Sequence, residues 1–186
     1  SAPISSAELT ALTEEWLTTS GISGVRVAVL TPDGESLFGG AGIDGDTLPM
    51  NVDRSTAVTS ITKTMTGALT MQLVDEGLLD LDAPLTGIPG AGEIPGGASI
   101  TIRQLLNHSS GLAPYQETPG YDAASSIDPL TAVQMALGTD LQWEPGTEAG
   151  YSNSGFLALG LLIENATGQD YETALVERII KPNGLA

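Results

Sequence analysis

Strand-like sequence is confined to one short stretch near the start of the chain. The run at 24–31 is rich in valine and partly alternating, and a Pro-Asp-Gly turn at 32–34 separates it from a second run at 35–38. Two antiparallel strands fit this pattern, but an isolated hairpin is only marginally stable in water. The sequence therefore predicts a sheet whose first two strands need further strands beside them.

The remainder of the chain predicts helices. An amphipathic helix is expected at 6–19, and no convincing strand run returns after Gly39. The glycine-rich piece at 86–97 is interpreted as a surface loop. We expect residues 1–50 to hold the opening helix and first two strands, and residues 51–186 to form a mostly helical region. The later helices, most of them closed by glycine, are predicted at about 60–76, 102–108, 129–137, 154–166 and 171–180.

Composition excludes several classes of function. A chain of 186 residues with 41% hydrophobic residues can bury a globular core, and its net charge of -17 would repel nucleic acid and anionic lipid. Its apolar runs are too short for a membrane span. With no cysteine and a single histidine, His108, the sequence predicts no metal site and no cofactor.

The first residues suggest a cellular location without fixing it. Ser-Ala-Pro-Ile-Ser-Ser suits a mature end left after removal of a signal peptide, and it suits a trimmed chain equally well. A secreted or periplasmic, cell-envelope location is the expectation.

Lys63 is the only charged residue in the segment 57–74 and one of two lysines in the chain. A helix built otherwise of apolar residues, threonines and a glycine is expected to be buried on most sides, which would desolvate the ammonium and favour the neutral amine, a base. Ser60 precedes it by three residues, so both lie on one helical face if the serine opens the helix. This pattern predicts a nucleophile paired with its base.

The same residues also have a purely structural interpretation. Ser60 could cap the helix while Lys63 extends to solvent, and the S-x-x-K pattern alone is weak. Further along, Tyr151 and Asn153 lie at the start of the helix predicted from 154. A phenol can exchange protons with a lysine, and a carboxamide can accept from it and donate to a substrate. Alternatively, Asn153 or Ser154 caps that helix and Tyr151 packs.

His108 is the only candidate base for a Ser-His-Asp triad. It lies in a polar cluster after the apolar stripe of the helix predicted at 102–108, and Gly111 follows. No G-x-S-x-G elbow occurs in the sequence, so an α/β-hydrolase site has no obvious nucleophile. We therefore interpret His108 as structural.

Three boxes together resemble a known family: Ser60-Ile-Thr-Lys63, the stretch 105–112, and Tyr151-Ser-Asn153. The chain resembles the serine β-lactamase and penicillin-binding protein superfamily, in particular the branch of class C β-lactamases, D-alanyl-D-alanine carboxypeptidases and related esterases. The resemblance implies an α+β, β-lactamase-like fold in which a helical region lies beside an antiparallel sheet.

The resemblance also implies roles for individual residues. Ser60 would be the acylated nucleophile, Lys63 its activating partner and Tyr151 a second proton carrier, while Asn153 would orient Lys63 and the substrate. One oxyanion donor would be the Ser60 N–H. The family's second donor comes from a late strand with K-T-G or a variant, and this sequence has no such strand.

The missing strand leads to the expectation that the chain is a fragment. Its C-terminal strands would be supplied by a complementing segment of the same protein, and the 186 residues alone would be inactive. The expected activity is hydrolysis of D-Ala-D-Ala peptides, β-lactams or related amides and esters through an acyl-enzyme. A carboxylesterase of the same fold, or a non-catalytic ligand-sensing or scaffold protein, is the alternative.

Overall fold

The computed structural model describes residues 4–45 and 47–185. Its contacts divide the chain into two compact units, residues 1–57 and 58–186. Within the described ranges, no helix is both long and apolar enough to cross a membrane. Those ranges also contain no group of three or more His, Asp or Glu side chains arranged to hold a metal ion.

The first unit is a helix on a small antiparallel sheet. Helix α1 begins with a capping box, in which Ser5 and Glu8 satisfy each other's backbone N–H groups. The sheet has the order β1-β2-β3 and pairs Gly24 with Gly42 at one end of its first ladder. The elements are α1 (Ser6–Ser20), β1 (Gly24–Leu30), β2 (Ser36–Asp44) and β3 (Leu48–Pro49).

The predicted hairpin is confirmed, but β2 is longer than the sequence indicated. We expected the strand to end near Phe38, whereas it continues through three glycines to Asp44. Close packing of α1 explains Gly39, because a Cβ there would lie 2.7 Å from Leu9 Cβ. Glycine here permits close approach of a helix rather than ending the strand.

Helix α1 buries a narrower face than its apolar pattern indicated. Leu9 and Thr13 are buried, whereas Leu12 and Trp16 remain 54% and 52% exposed. The helix thus covers the sheet with one edge of its apolar stripe.

The second unit is mostly helical, as predicted, with one small hairpin. A 3₁₀ turn leads into the first of its helices, and α6 runs on into a π-helical turn at Val176–Ile180. The elements are α2 (Thr62–Asp75), β4 (Gly87–Ile88), β5 (Gly92–Glu93), α3 (Ile102–Leu106), α4 (Pro129–Leu137), α5 (Asn153–Thr167) and α6 (Tyr171–Leu175).

The surface-loop interpretation of 86–97 is wrong. This piece forms the β4–β5 hairpin, and Ile88 and Ile94 are only 3% and 2% exposed. Both isoleucines pack in the main core cluster of the unit. The two isoleucines are too few to show the alternation typical of a strand. The glycines and prolines around them made the piece resemble a loop.

Helix α5 connects the two core clusters. Its Leu159 packs in the larger cluster with Leu105 of α3, and its Ile163 packs in the smaller one with Leu69 and Leu73 of α2. These side chains are fully buried. The common core fixes the start of α2 relative to the start of α5, where the candidate site lies.

Candidate active site

Ser60 lies in the 3₁₀ turn Thr59–Ile61, two residues before α2 begins at Thr62. The sequence predicted that Ser60 would begin the α-helix. The structure places it instead in the 3₁₀ turn that precedes the helix. Thr59 has a φ of 43°, a conformation that is rare and strained for a β-branched residue. The strained residue and the tight turn leave the Ser60 side chain exposed.

All four residues selected from the sequence meet at this point. Ser60 Oγ lies 2.8 Å from Tyr151 Oη, and Lys63 Nζ lies 3.4 Å from Ser60 Oγ. Lys63 Nζ also donates to Asn153 Oδ1 at 2.8 Å. The hydroxyl thus has a phenol on one side and an amine on the other, and the carboxamide fixes the amine.

Helix α2 is not buried on most sides, contrary to the prediction. Its buried residues form one stripe, and Lys63 itself is only half-buried. The Lys63 Nζ lies 4.9 Å from the ring centroid of Tyr151 and 5.5 Å from that of Phe156. Aromatic faces therefore surround much of the ammonium and attract it, in place of a closed apolar core.

The surroundings of Tyr151 shift the pKa of its phenol. The neighbouring Lys63, followed by the hydrogen bond with Ser60, lowers the pKa of the Tyr151 phenol below its ordinary value of 10.0. A lowered pKa makes the phenolate more accessible near neutral pH, where it can accept a proton from a hydroxyl.

The polar cluster at 107–111 holds the loop that leads to Tyr151. From its residues this cluster was interpreted as the end of a helix, and it forms part of the second box of the family resemblance. Three of its carbonyl oxygens accept backbone hydrogen bonds from that loop. The pairs are Gln142 N to Gly111 O (2.8 Å), Gly146 N to Ser109 O (2.8 Å) and Gly150 N to His108 O (3.0 Å). Nothing in the sequence identified this pairing, since both segments read as turns.

His108 contacts Tyr151 and the backbone beside it, and does not take the place of Tyr151 next to Ser60. Its Nδ1 accepts from Ser152 N at 3.3 Å, and its ring centroid lies 4.8 Å from that of Tyr151. Burial, followed by the positive charge of Lys63, lowers the pKa of His108 below 6.5. The ring is therefore neutral at neutral pH, and a neutral ring can accept the Ser152 N–H.

His108 allows a clean titration because the chain has one histidine. We expect its NMR midpoint to lie below 6.5, and to rise in Lys63→Met because the neighbouring charge is gone. The midpoint should stay below 6.5 because the burial remains. As pH falls through the midpoint, Nδ1 gains a proton and the hydrogen bond from Ser152 is lost. A midpoint that is unchanged or lower in Lys63→Met would contradict the coupling.

Gly111 is the tightest point of the polar cluster. Its φ is +76°, and a Cβ there would lie 2.4 Å from Trp143 O. Gly111→Ala is therefore expected to lower the free energy of unfolding by about 2 kcal/mol or more, measured in urea. Gly77→Ala is the matched control, because Gly77 has a φ of +71° and no atom within 4 Å of its Cβ position. Equal losses for the two variants would show that the contact with the Trp143 carbonyl does not matter.

A cavity of about 410 Å³ opens beside Ser60. Residues of the 3₁₀ turn and α2 line one side, and one face of α5 lines the other. Its lining includes Lys63, Thr66, Asn153, Phe156, Gly160 and Tyr171. The serine, the lysine and the carboxamide all reach the same space.

Comparison with known proteins places this geometry in a family. The Beta-lactamase family model matches residues 9–186. The chain is 32% identical to the D-alanyl-D-alanine-carboxypeptidase/endopeptidase AmpH of Escherichia coli K12, over 76% of this chain and 39% of AmpH. Among solved structures, a D-stereospecific amidohydrolase from Streptomyces sp. has a TM-score of 0.83 at 34% identity, covering 98% of this chain and 55% of that one. A D-amino acid amidase from Ochrobactrum anthropi SV3 has a TM-score of 0.81 at 29% identity, covering 95% and 51%.

The chain therefore belongs to the beta-lactamase family, within the superfamily of serine β-lactamases and penicillin-binding proteins. The resemblance drawn from the three boxes and the expected α+β, β-lactamase-like fold class are confirmed. The chain spans about half the length of these solved relatives and 39% of AmpH.

Proposed function

We propose that the protein is a serine hydrolase that works through an acyl-enzyme on Ser60. The observation that carries the proposal is the contact of one hydroxyl with two proton carriers, Tyr151 at 2.8 Å and Lys63 at 3.4 Å. An exposed serine held between a phenol and an amine, at the mouth of a cavity, has the arrangement that an activated nucleophile needs. Membership of the family supports the same chemistry.

The proposed reaction has two steps. Ser60 Oγ attacks the substrate carbonyl carbon while its proton passes to Tyr151 or Lys63, and the resulting tetrahedral intermediate expels the amine or alcohol, which takes that proton. A water molecule then attacks the ester on Ser60, gives a proton to the same pair, and releases the acid as Ser60 regains its hydrogen. Asn153 holds Lys63 in place throughout, through the 2.8 Å hydrogen bond.

The oxyanion formed in each step needs donors. We assign one to the Ser60 N–H, which lies in the turn that opens into α2. The second would come from a complementing segment equivalent to the part of the relatives that this chain does not span. Without it, the 186 residues alone would be inactive. Hydrolysis by these residues unaided, at a rate typical of an enzyme, would refute that requirement.

The proposed substrates are D-Ala-D-Ala peptides, β-lactams and related amides and esters. Support comes from the names of the relatives, which include a D-alanyl-D-alanine carboxypeptidase, a D-stereospecific amidohydrolase and a D-amino acid amidase. A secreted or cell-envelope location would fit a peptide substrate of the first kind. We place a carboxylesterase of the same fold second, because an exposed serine beside an apolar cavity would also accept esters.

A substrate panel tests the proposal. The protein, together with its complementing segment, is offered D- and L-amino acid amides, a diacyl-D-Ala-D-Ala tripeptide, a chromogenic cephalosporin and a p-nitrophenyl ester. We expect hydrolysis of at least one D-configured amide or of the β-lactam, with the L-amides poor. Turnover of the ester alone would favour the carboxylesterase. Tight binding of substrates with no turnover would favour a ligand-sensing protein.

A further inference from the structure

Helix α5 is apolar on two faces. One face is buried in the core of its unit, through Leu159, Leu162 and Ile163. The second face carries Phe156, Leu157 and others at helical spacing, and these residues are only half-buried. A helix that is apolar nearly all round is normally covered on every side. The second face packs partly against the main core cluster, and its remaining surface forms one wall of the cavity beside Ser60.

The opposite wall of this groove presents little free polarity. Thr66 of α2 and Tyr171 of α6 satisfy each other through a 2.7 Å hydrogen bond between their hydroxyls. Glu164 accepts the Tyr171 N–H at 2.9 Å, which fixes its carboxylate at the start of α6. The groove is therefore mostly apolar, with one carboxylate held at the start of α6, and it is reactive at the mouth formed by Ser60 and Lys63.

We propose that this groove binds an uncharged apolar side chain or ring carried by the acyl part of the substrate. The inference rests on the proposed function, because the acyl group must reach the groove from an ester bond on Ser60. The cavity of about 410 Å³ lies in the size range of small-molecule sites, roughly 300–1,000 Å³. An apolar lining with a few polar groups at one end is also their usual composition.

The charges at the groove restrict the acyl group further. Glu164 lines the cavity and would repel a substrate that carried a carboxylate at its distal end. Lys63, the cation in the same lining, is already bound to Asn153 near the nucleophile. A neutral aliphatic or aromatic group fits these conditions better than a dicarboxylic one.

Gly160 sets the depth of the groove. It lies in the middle of the α5 wall, and a Cβ there would meet Tyr171 Cδ2 at 3.7 Å, an ordinary van der Waals contact. Alanine is therefore accommodated, whereas the larger side chain of leucine would project into the space that the acyl group needs. Gly160 is thus the specificity-determining position of the groove.

A series of n-alkyl boronic acids, from methyl to octyl, tests the inference, because boron adds reversibly to a nucleophilic serine hydroxyl. Binding is measured by calorimetry. We expect affinity to rise about fourfold for each methylene that enters the groove. Gly160→Leu should remove this dependence on length, and Gly160→Ala should weaken it for the longest chains. Asn165→Leu, which adds the same side chain at an exposed position of α5, should retain it.

The change in boronic acid affinity with chain length separates the groove inference from the serine hydrolase proposal. If boronic acids bind through Ser60 with affinity that does not change with length, the groove inference is wrong and the serine hydrolase proposal stands. Unchanged slopes in both Gly160 variants would overturn the inference as well, and the second variant covers the case in which leucine prevents folding.

A second measurement needs no reaction at Ser60. The Ser60→Ala variant is titrated with 1-octanol and followed by amide NMR. We expect shifts at Phe156, Gly160 and Tyr171, and their loss when Gly160→Leu is added. Shifts at these amides without any boronic acid binding would count against the hydrolase proposal and for the apolar groove. An absence of shifts at these amides would overturn the groove.

Discussion

Replacing Ser60 with alanine is expected to lower kcat/KM by at least about 10³-fold on any substrate that the protein hydrolyses. The change removes the atom that would carry the acyl group, and neither Lys63 nor Tyr151 can take over that role while held in place by their present contacts. Steady-state kinetics on the substrate found in the panel measures the loss. Folding is checked by comparing the urea transitions of the two proteins.

Thr64→Ala is the matched control for Ser60→Ala. It removes a hydroxyl from an exposed position near the start of α2 and should leave kcat/KM unchanged. If Ser60→Ala kept the activity of Thr64→Ala, Ser60 would not be the nucleophile, and the proposed chemistry would fail.

Lys63→Met is expected to lower kcat by about 10²–10⁴-fold, the usual contribution of a positioned proton carrier. Methionine preserves much of the length and apolar stem of lysine but cannot accept or donate the proton. The loss of the ammonium should also raise the pKa of Tyr151 toward 10.0, since Lys63 is the first cause of its lowering. A tyrosinate absorbance titration measures this second effect.

The chain contains its own control for this variant. Lys181 is the second of the two lysines, and it pairs with Glu177 at an exposed position. Lys181→Met should leave both kcat and the Tyr151 titration unchanged. A Lys63→Met protein with full kcat would exclude Lys63 from the proton transfers, even if the Tyr151 pKa moved as expected.

The residues that meet at Ser60 could be selected from the sequence because they are chemically unusual where they stand. Lys63 is an isolated charge in an otherwise uncharged segment, and its spacing from Ser60 places both on one helical face. The pairing of Asn153 with Lys63 was expected only from the family resemblance, because an asparagine at the start of a helix can equally be a cap. The local backbone geometry was predicted less well, because the 3₁₀ turn that holds Ser60 was expected to be α-helix.

Features that depend on contacts between distant segments could not be predicted from the sequence. The glycines of β2 indicated a chain leaving the sheet, whereas Gly39 allows α1 to approach closely. Ile88 and Ile94 anchor a hairpin that its glycines disguised as a loop. Hydrogen bonds from the Tyr151 loop to the carbonyl oxygens of the cluster at 107–111 join two turns. A turn pattern in the sequence does not identify the segment that it will contact.

Peptide mapping of a trapped acyl-enzyme tests the central claim most directly. The protein is treated with a slowly hydrolysed penicillin and with a fluorophosphonate, in its catalytically active form, and then digested and analysed by mass spectrometry. The account predicts one adduct per molecule, on the peptide that contains Ser60, and none in Ser60→Ala. Continued hydrolysis with no adduct, or an adduct mapped to a different residue, would contradict it.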